Sequence, residues 1–235
     1  MPASSISCTD MLPFVAELAN KYKLFLFDLD GTLLDSMSAW CDADSEFLGR
    51  RGFQVTDEYT EFVKRVPMEE SAKYTIKKFN LDMTPDQVIA EWQESVAGKY
   101  ANTIELKSGV KDFINEAKNL GIKMGVATAL DHVNADGALK RHGIFGMFEC
   151  VYTLSDFGGT RDKSSPDFYL AACAACGGFA SSEVLVFDDV PEALKGADAG
   201  GFDTCAVFDP VGAGGKWAEM KAFATYSVED FASRN

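Results

Sequence analysis

The stretch LFLFDLDGTLLDS at residues 24–36 begins as an apolar run and continues into a segment that carries Asp28, Asp30 and Asp35. A short run that is apolar at every position is typical of a strand covered on both faces in a parallel sheet. Ligands of open α/β sheets bind beyond the carboxyl ends of the strands. The stretch therefore predicts a buried parallel strand whose end carries acidic groups to a functional edge.

Similar apolar runs recur along the chain, with helix-length segments between them. The predicted strands are residues 23–27, 123–127, 150–153, 184–187 and 204–208, and the predicted helices are residues 110–120, 133–142, 167–176 and 191–199. Proline near helix starts and glycine after helix ends follow from the backbone preferences of these residues. This alternation predicts an α/β fold with a doubly wound parallel-sheet core of the Rossmann-like type.

Residues 36–101 interrupt the alternation, because they show only amphipathic helical pattern and no convincing strand. Thr84, Pro85 and Asp86 are typical of a helix start, and Gly52 is typical of a helix end. We therefore predict an α/β core domain of residues 1–34 and 103–235, and a helical domain of residues 35–102 inserted after the first strand.

Composition excludes several classes of function. The chain has 235 residues, 47% of them hydrophobic, and a formal net charge of −14. Such an acidic protein is not expected to bind nucleic acid, because that affinity comes largely from basic side chains. The sequence shows neither a secretory signal nor a run of about 18 apolar residues, so we predict a cytoplasmic protein without membrane association. The amphipathic segment 11–20 suits packing either on the core or on a neighbouring chain, which leaves a monomer and a homodimer open.

Cysteine usage predicts free thiols. The six cysteines are Cys8, Cys41, Cys150, Cys173, Cys176 and Cys205. They are scattered over a chain that is large and apolar enough to fold without covalent cross-links. Cys173 and Cys176 form a C-x-x-C pair on one face of an alanine-rich helix, and no second Cys/His pair at zinc spacing accompanies them. We interpret both as small core-facing residues.

Polar side chains follow several predicted strands. Asp28 follows the first strand, Thr128 the second, and Asp188 with Asp189 the strand VLVF. Carboxylates gathered at one sheet edge repel each other unless a cation binds them, and an oxygen-only ligand set suits a hard ion such as Mg²⁺. Taken singly, the same residues are also typical of turns and helix caps, but their joint occurrence favours a Mg²⁺ site.

The spacing of the acids also suits phosphoryl transfer. A carboxylate such as Asp28 can attack phosphorus, and Asp30 can protonate the leaving oxygen and then activate water. Thr32 is placed to orient Asp30 by a hydrogen bond within the loop. Lys163 and Thr128 are candidates for binding the phosphoryl oxygens.

These residues resemble a known family. DLDGT at residues 28–32, Thr128 in GVATA, Lys163 in RDKSSPDFYLAA and Asp188-Asp189 in VLVFDDVPEAL resemble, in order and spacing, the four motifs of the haloacid dehalogenase superfamily. The position of the insert matches that family's helical cap domain. The resemblance implies Asp28 as nucleophile, Asp30 as general acid/base, and Thr128 and Lys163 as phosphate ligands. It also implies that Mg²⁺ is bound by Asp28, the Asp30 carbonyl and Asp189, and that Asp188 binds the ion either directly or through water. Further substrate contacts are expected from Thr32, Ala129, His132, Lys64 and Arg65.

The resemblance also indicates the type of reaction. True dehalogenases and phosphonate-cleaving members lack an acid at the position of Asp30, so its presence favours phosphoester chemistry. The chain looks most like the β-phosphoglucomutase-like group, in which the mutase carries Lys, Gly and Arg along the segment FVKRVPMEES. Here Lys64 remains, but Arg65 stands at the Gly position and Met68 at the Arg position. Loss of one charged phosphate contact costs on the order of 2 kcal/mol, which favours a phosphatase over a mutase.

We therefore predict a Mg²⁺-dependent phosphatase that hydrolyses a small phosphorylated metabolite, a sugar phosphate or similar, through an aspartyl-phosphate intermediate. A β-phosphoglucomutase-type sugar-phosphate mutase is the alternative, and a catalytically silent binding protein is a third hypothesis. His132 is interpreted either as a ligand of phosphate or leaving group, or as a cap of the following helix. The cations Arg50, Arg51, Lys64, Arg65 and Lys73 either recognise substrate or form a solvated helix face.

Overall fold

The computed structural model describes residues 4–5, 11–63, 66, 68–158, 163–213 and 215–232. The chain divides into two compact units. We call Met1–Asp35 with Glu105–Asn235 the core unit, and Ser36–Ile104 the helical unit. The chain leaves the core unit one residue later, and returns to it two residues later, than the domain boundaries drawn from the sequence.

The core unit is built on a parallel β-sheet. Among the described residues the strands are β1 (Ser4–Ser5), β2 (Leu24–Phe27), β3 (Lys123–Thr128), β4 (Cys150–Thr153), β5 (Val184–Asp188), β6 (Asp203–Val207) and β7 (Tyr226–Val228). They form a seven-stranded sheet in the order β1-β7-β6-β5-β2-β3-β4, and every neighbouring pair is parallel. From β2 the chain winds outward through β3 and β4, and then returns to β5 to wind the other way. This confirms the predicted doubly wound α/β fold.

Helices cover both faces of the sheet. Those of the core unit are α1 (Met11–Ala19), α6 (Val110–Asn119), α7 (His132–Arg141), α8 (Pro166–Ala175), α9 (Pro191–Ala199) and α10 (Trp217–Phe223). Alternate residues of β2 point to opposite faces, as strand geometry requires. Leu24 and Leu26 lie in a buried cluster with Phe168 of α8, whereas Phe25 and Phe27 make ring contacts with Phe113 of α6. Burial on both faces explains why β2 is apolar at every position.

Strand register brings the carboxyl ends of β2 and β5 level. Phe27 of β2 lies opposite Phe187 of β5, and also opposite Val126 of β3. The residues that follow Phe27 and Phe187 are Asp28 and Asp188, so both acids leave the sheet side by side. Thr128 at the end of β3 pairs with Thr153 of β4 on the other side of β2.

The amphipathic segment near the N-terminus packs on the core. Helix α1 buries Phe14, Val15 and Leu18 almost completely, and the Phe14 ring contacts Tyr226 of β7 with a centroid distance of 5.7 Å. Of the two packing alternatives that the sequence left open for this segment, the structure therefore shows the one within the chain.

The helical unit consists of α2 (Met37–Gly49), α3 (Asp57–Val63), α4 (Met68–Phe79) and α5 (Pro85–Asn102), with no strand among its described residues. Thr84 and Gln87 form a capping box at the start of α5, with backbone-to-side-chain distances of 2.8 and 3.3 Å. Such a reciprocal pair satisfies amide groups that a helix start leaves unbonded. The buried cluster of this unit includes Phe47 of α2, Tyr59 of α3 and Trp92 of α5. No helix in the described part of the chain has both the length and the apolar composition needed to cross a lipid bilayer.

One expectation about the cysteines is wrong. Cys150 and Cys176 form a disulfide, whereas Cys173 and Cys205 are buried free thiols. Cys150 opens β4 and Cys176 follows α8, and packing of the helix on the strand brings their Cα atoms to 5.3 Å. Cys173 and Cys176 both lie in the buried cluster against β2, as predicted for core-facing residues. Cys8 and the side chain of Cys41 lie outside the described residues.

Candidate active site

The loop after β2 is folded tightly on itself. The Asp28 N–H donates to the Phe187 carbonyl at 2.9 Å, which extends the pairing of β2 and β5 by one residue. The Leu29 carbonyl then accepts backbone hydrogen bonds from Thr32, Leu33 and Leu34, at 3.3, 2.9 and 2.8 Å. Gly31 turns the chain with φ +73°, a left-handed conformation that glycine adopts at little cost. The loop therefore holds Asp28 at the carboxyl edge of the sheet.

Lys163 joins two of the buried acids. Its Nζ lies 2.7 Å from Asp28 Oδ1 and 2.7 Å from Asp188 Oδ2, and the lysine is only 8% exposed. Burial alone would lower the pKa of Lys163, but the charges of Asp188 and Asp28 raise it well above its usual value. Asp188 also accepts hydrogen bonds from the Val190 N–H at 2.9 Å and from the Tyr169 hydroxyl at 3.3 Å. Asp188 therefore positions Lys163 beside Asp28.

Asp189 has one bonded and one unbonded carboxylate oxygen. Its Oδ1 accepts a hydrogen bond from the Thr32 hydroxyl at 3.1 Å. Its Oδ2 is buried and has no hydrogen-bond partner among the described residues. Gly31 and Gly212 pack so closely on Oδ2 that a Cβ at either position would overlap it. Burial and the neighbouring acids, first among them Asp188, raise the pKa of Asp189 well above its usual value.

This cluster fits a hard divalent cation. Asp28, Asp188 and Asp189 each offer one oxygen, and these atoms lie within 4.8 Å of one another. The pKa of Asp28 is raised to about 7, mainly by burial. The charge of Lys163 lowers this pKa, whereas the charges of Asp188 and Asp30 raise it. A single ammonium group does not balance three buried carboxylates, and Asp189 Oδ2 is an orphaned acceptor that a cation would satisfy. Oxygen donors without His or Cys favour Mg²⁺ or a similar ion.

The other predicted residues surround this cluster to different extents. Thr128 is 1% exposed at the end of β3, and its Oγ1 accepts the Leu130 N–H at 3.1 Å. Ala129 is exposed, and Asp30 is half-buried in the loop after β2. Thr32 is fully buried and donates its hydroxyl to Asp189; its role in orienting Asp30 stays a prediction.

His132 lies at the rim of the sheet edge. Its Nε2 is 2.9 Å from Asp156 Oδ2, and Asp156 also accepts the Thr153 N–H at 2.8 Å. The cap of α7 is Asp131, whose side chain accepts the Asn134 N–H at 3.0 Å. His132 is therefore not the cap residue, and its role toward phosphate stays a prediction.

The candidate cations of the helical unit are paired where they are described. Arg50 and Arg51 both contact Glu91, at 3.5 and 2.5 Å. Lys73 lies 2.7 Å from Glu69 one helical turn away, with 59% of its side chain exposed. Lys73 thus belongs to a solvated helix face. Lys64 and Arg65 lie outside the described residues, so their substrate role stays a prediction.

Sequence reasoning missed two residues beside the site. Lys107 Nζ donates to the carbonyls of Gly31 and Phe208, at 2.7 and 2.6 Å, and lies 3.3 Å from Asp209 Oδ2. A usable signal existed for Asp209, because it follows the predicted strand 204–208 just as Asp28 and Asp188 follow theirs. Nothing in the local sequence distinguishes Lys107 from a lysine in a surface turn.

Comparison with known proteins finds a matching protein family and two similar phosphatases. The sequence profile of the family described as haloacid dehalogenase-like hydrolase matches residues 25–207. The chain is 26% identical over 180 residues to validoxylamine A 7'-phosphate phosphatase of Streptomyces hygroscopicus subsp. limoneus, covering 77% of this chain and 83% of that protein. It is 26% identical over 190 residues to fructose-1-phosphate phosphatase YqaB of Escherichia coli strain K12, covering 80% and 97% of the two proteins.

A solved structure shares the fold. CbbY from Rhodobacter sphaeroides, crystallised in complex with phosphate, superposes with a TM-score of 0.73 at 20% identity, covering 90% of this chain and 95% of that one. The matched span of the family profile includes all four sequence motifs, from the loop after β2 to the pair Asp188-Asp189 after β5.

Proposed function

This chain belongs to the haloacid dehalogenase-like hydrolase family, and from that premise we propose that it is a Mg²⁺-dependent phosphatase acting on a small phosphorylated metabolite. The observation that carries the proposal is the bridge from Lys163 to Asp28 and Asp188, with Nζ 2.7 Å from each carboxylate. This bridge supports the roles proposed for Asp28 as nucleophile and Lys163 as phosphate ligand, because the two side chains lie together at a buried sheet edge. The two related phosphatases are named for a fructose phosphate and a phosphorylated validoxylamine, which supports a sugar phosphate or similar substrate.

In the first step, an Asp28 carboxylate oxygen attacks the phosphorus of the substrate. The bond between phosphorus and the ester oxygen breaks as the bond to Asp28 forms, and the leaving oxygen takes a proton from the Asp30 carboxyl group. Lys163 and the Thr128 hydroxyl donate hydrogen bonds to the phosphoryl oxygens. The product alcohol leaves, and Asp28 carries the phosphoryl group.

In the second step, the Asp30 carboxylate takes a proton from a water molecule, and the resulting hydroxide attacks phosphorus. The bond between phosphorus and Asp28 breaks, so inorganic phosphate is released and the Asp28 carboxylate is restored. Asp30 regains its proton in this step and is ready to act as acid again.

A bound Mg²⁺ would supply positive charge to the phosphoryl oxygens in both steps. Asp28, the Asp30 carbonyl and Asp189 are the groups proposed to hold it. Asp188 has three hydrogen-bond donors of its own, Lys163, Tyr169 and Val190. We therefore assign Asp188 to positioning Lys163 rather than to direct metal binding.

The test is release of phosphate from a panel of sugar phosphates, phosphoglycolate and nucleotides, with Mg²⁺ or with a chelator. We expect turnover that disappears with chelator and in the Asp28→Asn variant. Asp136→Asn is the matched control, because Asp136 lies on the outer helix α7 and pairs only with Lys140 among the contacts described. Turnover that survives in Asp28→Asn would refute Asp28 as nucleophile. Isomerisation of glucose 1-phosphate without net hydrolysis would replace the proposal by a mutase.

A further inference from the structure

We propose that Lys107 is a positioning residue that holds the two backbone segments packed around Asp189, and thereby sets the affinity of the proposed Mg²⁺ site. The inference rests on the proposed function. Lys107 Nζ binds the Gly31 carbonyl at 2.7 Å and the Phe208 carbonyl at 2.6 Å, and lies 3.3 Å from Asp209 Oδ2. With 18% of its side chain exposed, the ammonium group is bonded to protein oxygens on several sides.

The backbone of Lys107 is anchored to the same loop that its side chain binds. Its N–H donates to the Leu33 carbonyl at 2.9 Å, and the preceding residue Leu106 forms an antiparallel bridge with Leu34. The segment that returns to the core unit thus runs alongside the loop after β2. This pairing fixes the Cα of Lys107 beside the loop, within reach of the Gly31 carbonyl.

Lys107 connects both segments that pack on Asp189. On one side Lys107 binds the carbonyl of Gly31. The Cα of Gly31 packs closely on Asp189 Oδ2. On the other side it contacts Asp209, whose Oδ1 accepts the Gly212 N–H at 3.0 Å, and Gly212 also packs on Asp189 Oδ2. The Thr32 hydroxyl holds Oδ1 of this carboxylate, and packing against the two glycines limits the position of Oδ2, which has no hydrogen-bond partner among the described residues.

Simple electrostatics and positioning predict opposite effects when Lys107 is removed. Lys107 is a cation near the acidic cluster, so its charge repels a bound metal ion, and its loss alone would tighten Mg²⁺ binding. Loss of the positioning contacts would instead weaken Mg²⁺ binding. Groups that orient a metal ligand typically change metal affinity or activity by about 10- to 100-fold when they are removed. The direction of the change therefore distinguishes the two.

The experiment measures Mg²⁺ binding to the apoprotein by isothermal titration calorimetry, which needs no turnover. We expect the Mg²⁺ dissociation constant of Lys107→Met to rise about tenfold or more. Lys123→Met is the matched control, because Lys123 forms an exposed pair with Glu149 at 2.7 Å in the same unit. The control should bind Mg²⁺ like the unmodified protein. Unchanged or tighter binding by Lys107→Met would overturn the proposal, as would failure of the unmodified protein to bind Mg²⁺.

Kinetics provide a second readout and separate this inference from the proposed function. At limiting Mg²⁺ we expect Lys107→Met to release phosphate more slowly than the unmodified protein, and saturating Mg²⁺ to restore most of its kcat with little change in KM. Lys107→Arg should recover most of the Mg²⁺ affinity. If the methionine variant does not fold, Lys107→Gln gives a milder form of the test, because its amide removes the charge but keeps a donor; its Mg²⁺ dissociation constant should rise by less than about tenfold, and tighter or unchanged binding would overturn the proposal. Phosphate release by the unmodified protein together with normal Mg²⁺ binding by Lys107→Met would refute the role of Lys107 and leave the phosphatase proposal standing. A rate of phosphate release by Lys107→Met at limiting Mg²⁺ equal to that of the unmodified protein would also count against that role.

Discussion

Replacing Lys163 by methionine removes the cation that Asp28 and Asp188 share, and we expect the metal-free protein to lose about 3–5 kcal/mol of folding free energy. The magnitude follows from two routes. Lys163 Nζ makes two contacts of 2.7 Å to carboxylates, and each hydrogen bond to a charged group contributes about 1.5–3 kcal/mol. Removal of one partner from a buried ion pair costs about 3–5 kcal/mol, because the remaining charge stays in a desolvated site.

The structure also limits this loss. Asp188 keeps its bonds from Val190 and Tyr169. Asp28, whose pKa burial raises to about 7, can take up a proton when Lys163 is gone. Both responses reduce the penalty, so a loss above the upper end of the range is not expected.

The assay is urea unfolding with a chelator present, analysed for the free energy in water. Lys123→Met is again the control, because the exposed pair with Glu149 should contribute no more than about 1 kcal/mol. If Lys163→Met were destabilised no more than this control, the buried acids would not depend on Lys163 for their charge balance, and the reasoning would be refuted.

Three further changes have defined outcomes. Gly212→Ala forces a Cβ onto Asp189 and should lower kcat about tenfold or more, whereas Gly137→Ala, with open space around it, should leave kcat unchanged. Equal kcat values for the two variants would contradict the inference that close packing by Gly212 positions Asp189. Burial raises the pKa of Asp44 to about 6, so between about pH 4 and 6 the folded state holds a proton that the unfolded state has lost, and the free energy of unfolding should fall by at most about 3 kcal/mol across this range. Urea unfolding of Asp44→Asn should lack this dependence on pH, and a retained dependence would exclude Asp44 as its source. Cys150→Ser should cost about 3 kcal/mol under oxidising conditions, because the disulfide closes a loop of 26 residues; the difference from the unmodified protein should vanish with reductant, and one that persists would point to packing instead.

Much of the fold was predictable because its signals are local. Helix α9 occupies the predicted residues, since Pro191 opens it and Gly200 follows it. The strands β2, β3 and β5 have buried apolar runs that no other local structure explains better. The short strand β7 was missed, because three residues are too few to show a period.

The convergence of Asp28, Asp188 and Asp189 followed from the sequence by a general rule of parallel sheets. Each acid follows an apolar run, and parallel strands bring their carboxyl ends to the same edge. The chemical types of these residues then pointed to a hard cation and a phosphoryl group.

Tertiary structure alone decided the contacts between distant segments. Lys107 and Asp209 are 102 residues apart, and Cys150 and Cys176 are 26 apart. Neither pair leaves a local pattern, because each depends on where two separate loops or elements meet after the sheet is assembled. The strands, the helices and the acidic residues at the sheet edge follow from the sequence, since these depend on backbone preference and burial at each position. The fold decided which carboxylate binds Lys163, which oxygen of Asp189 lacks a partner and which lysine supports the loop, since these depend on distances that only packing sets.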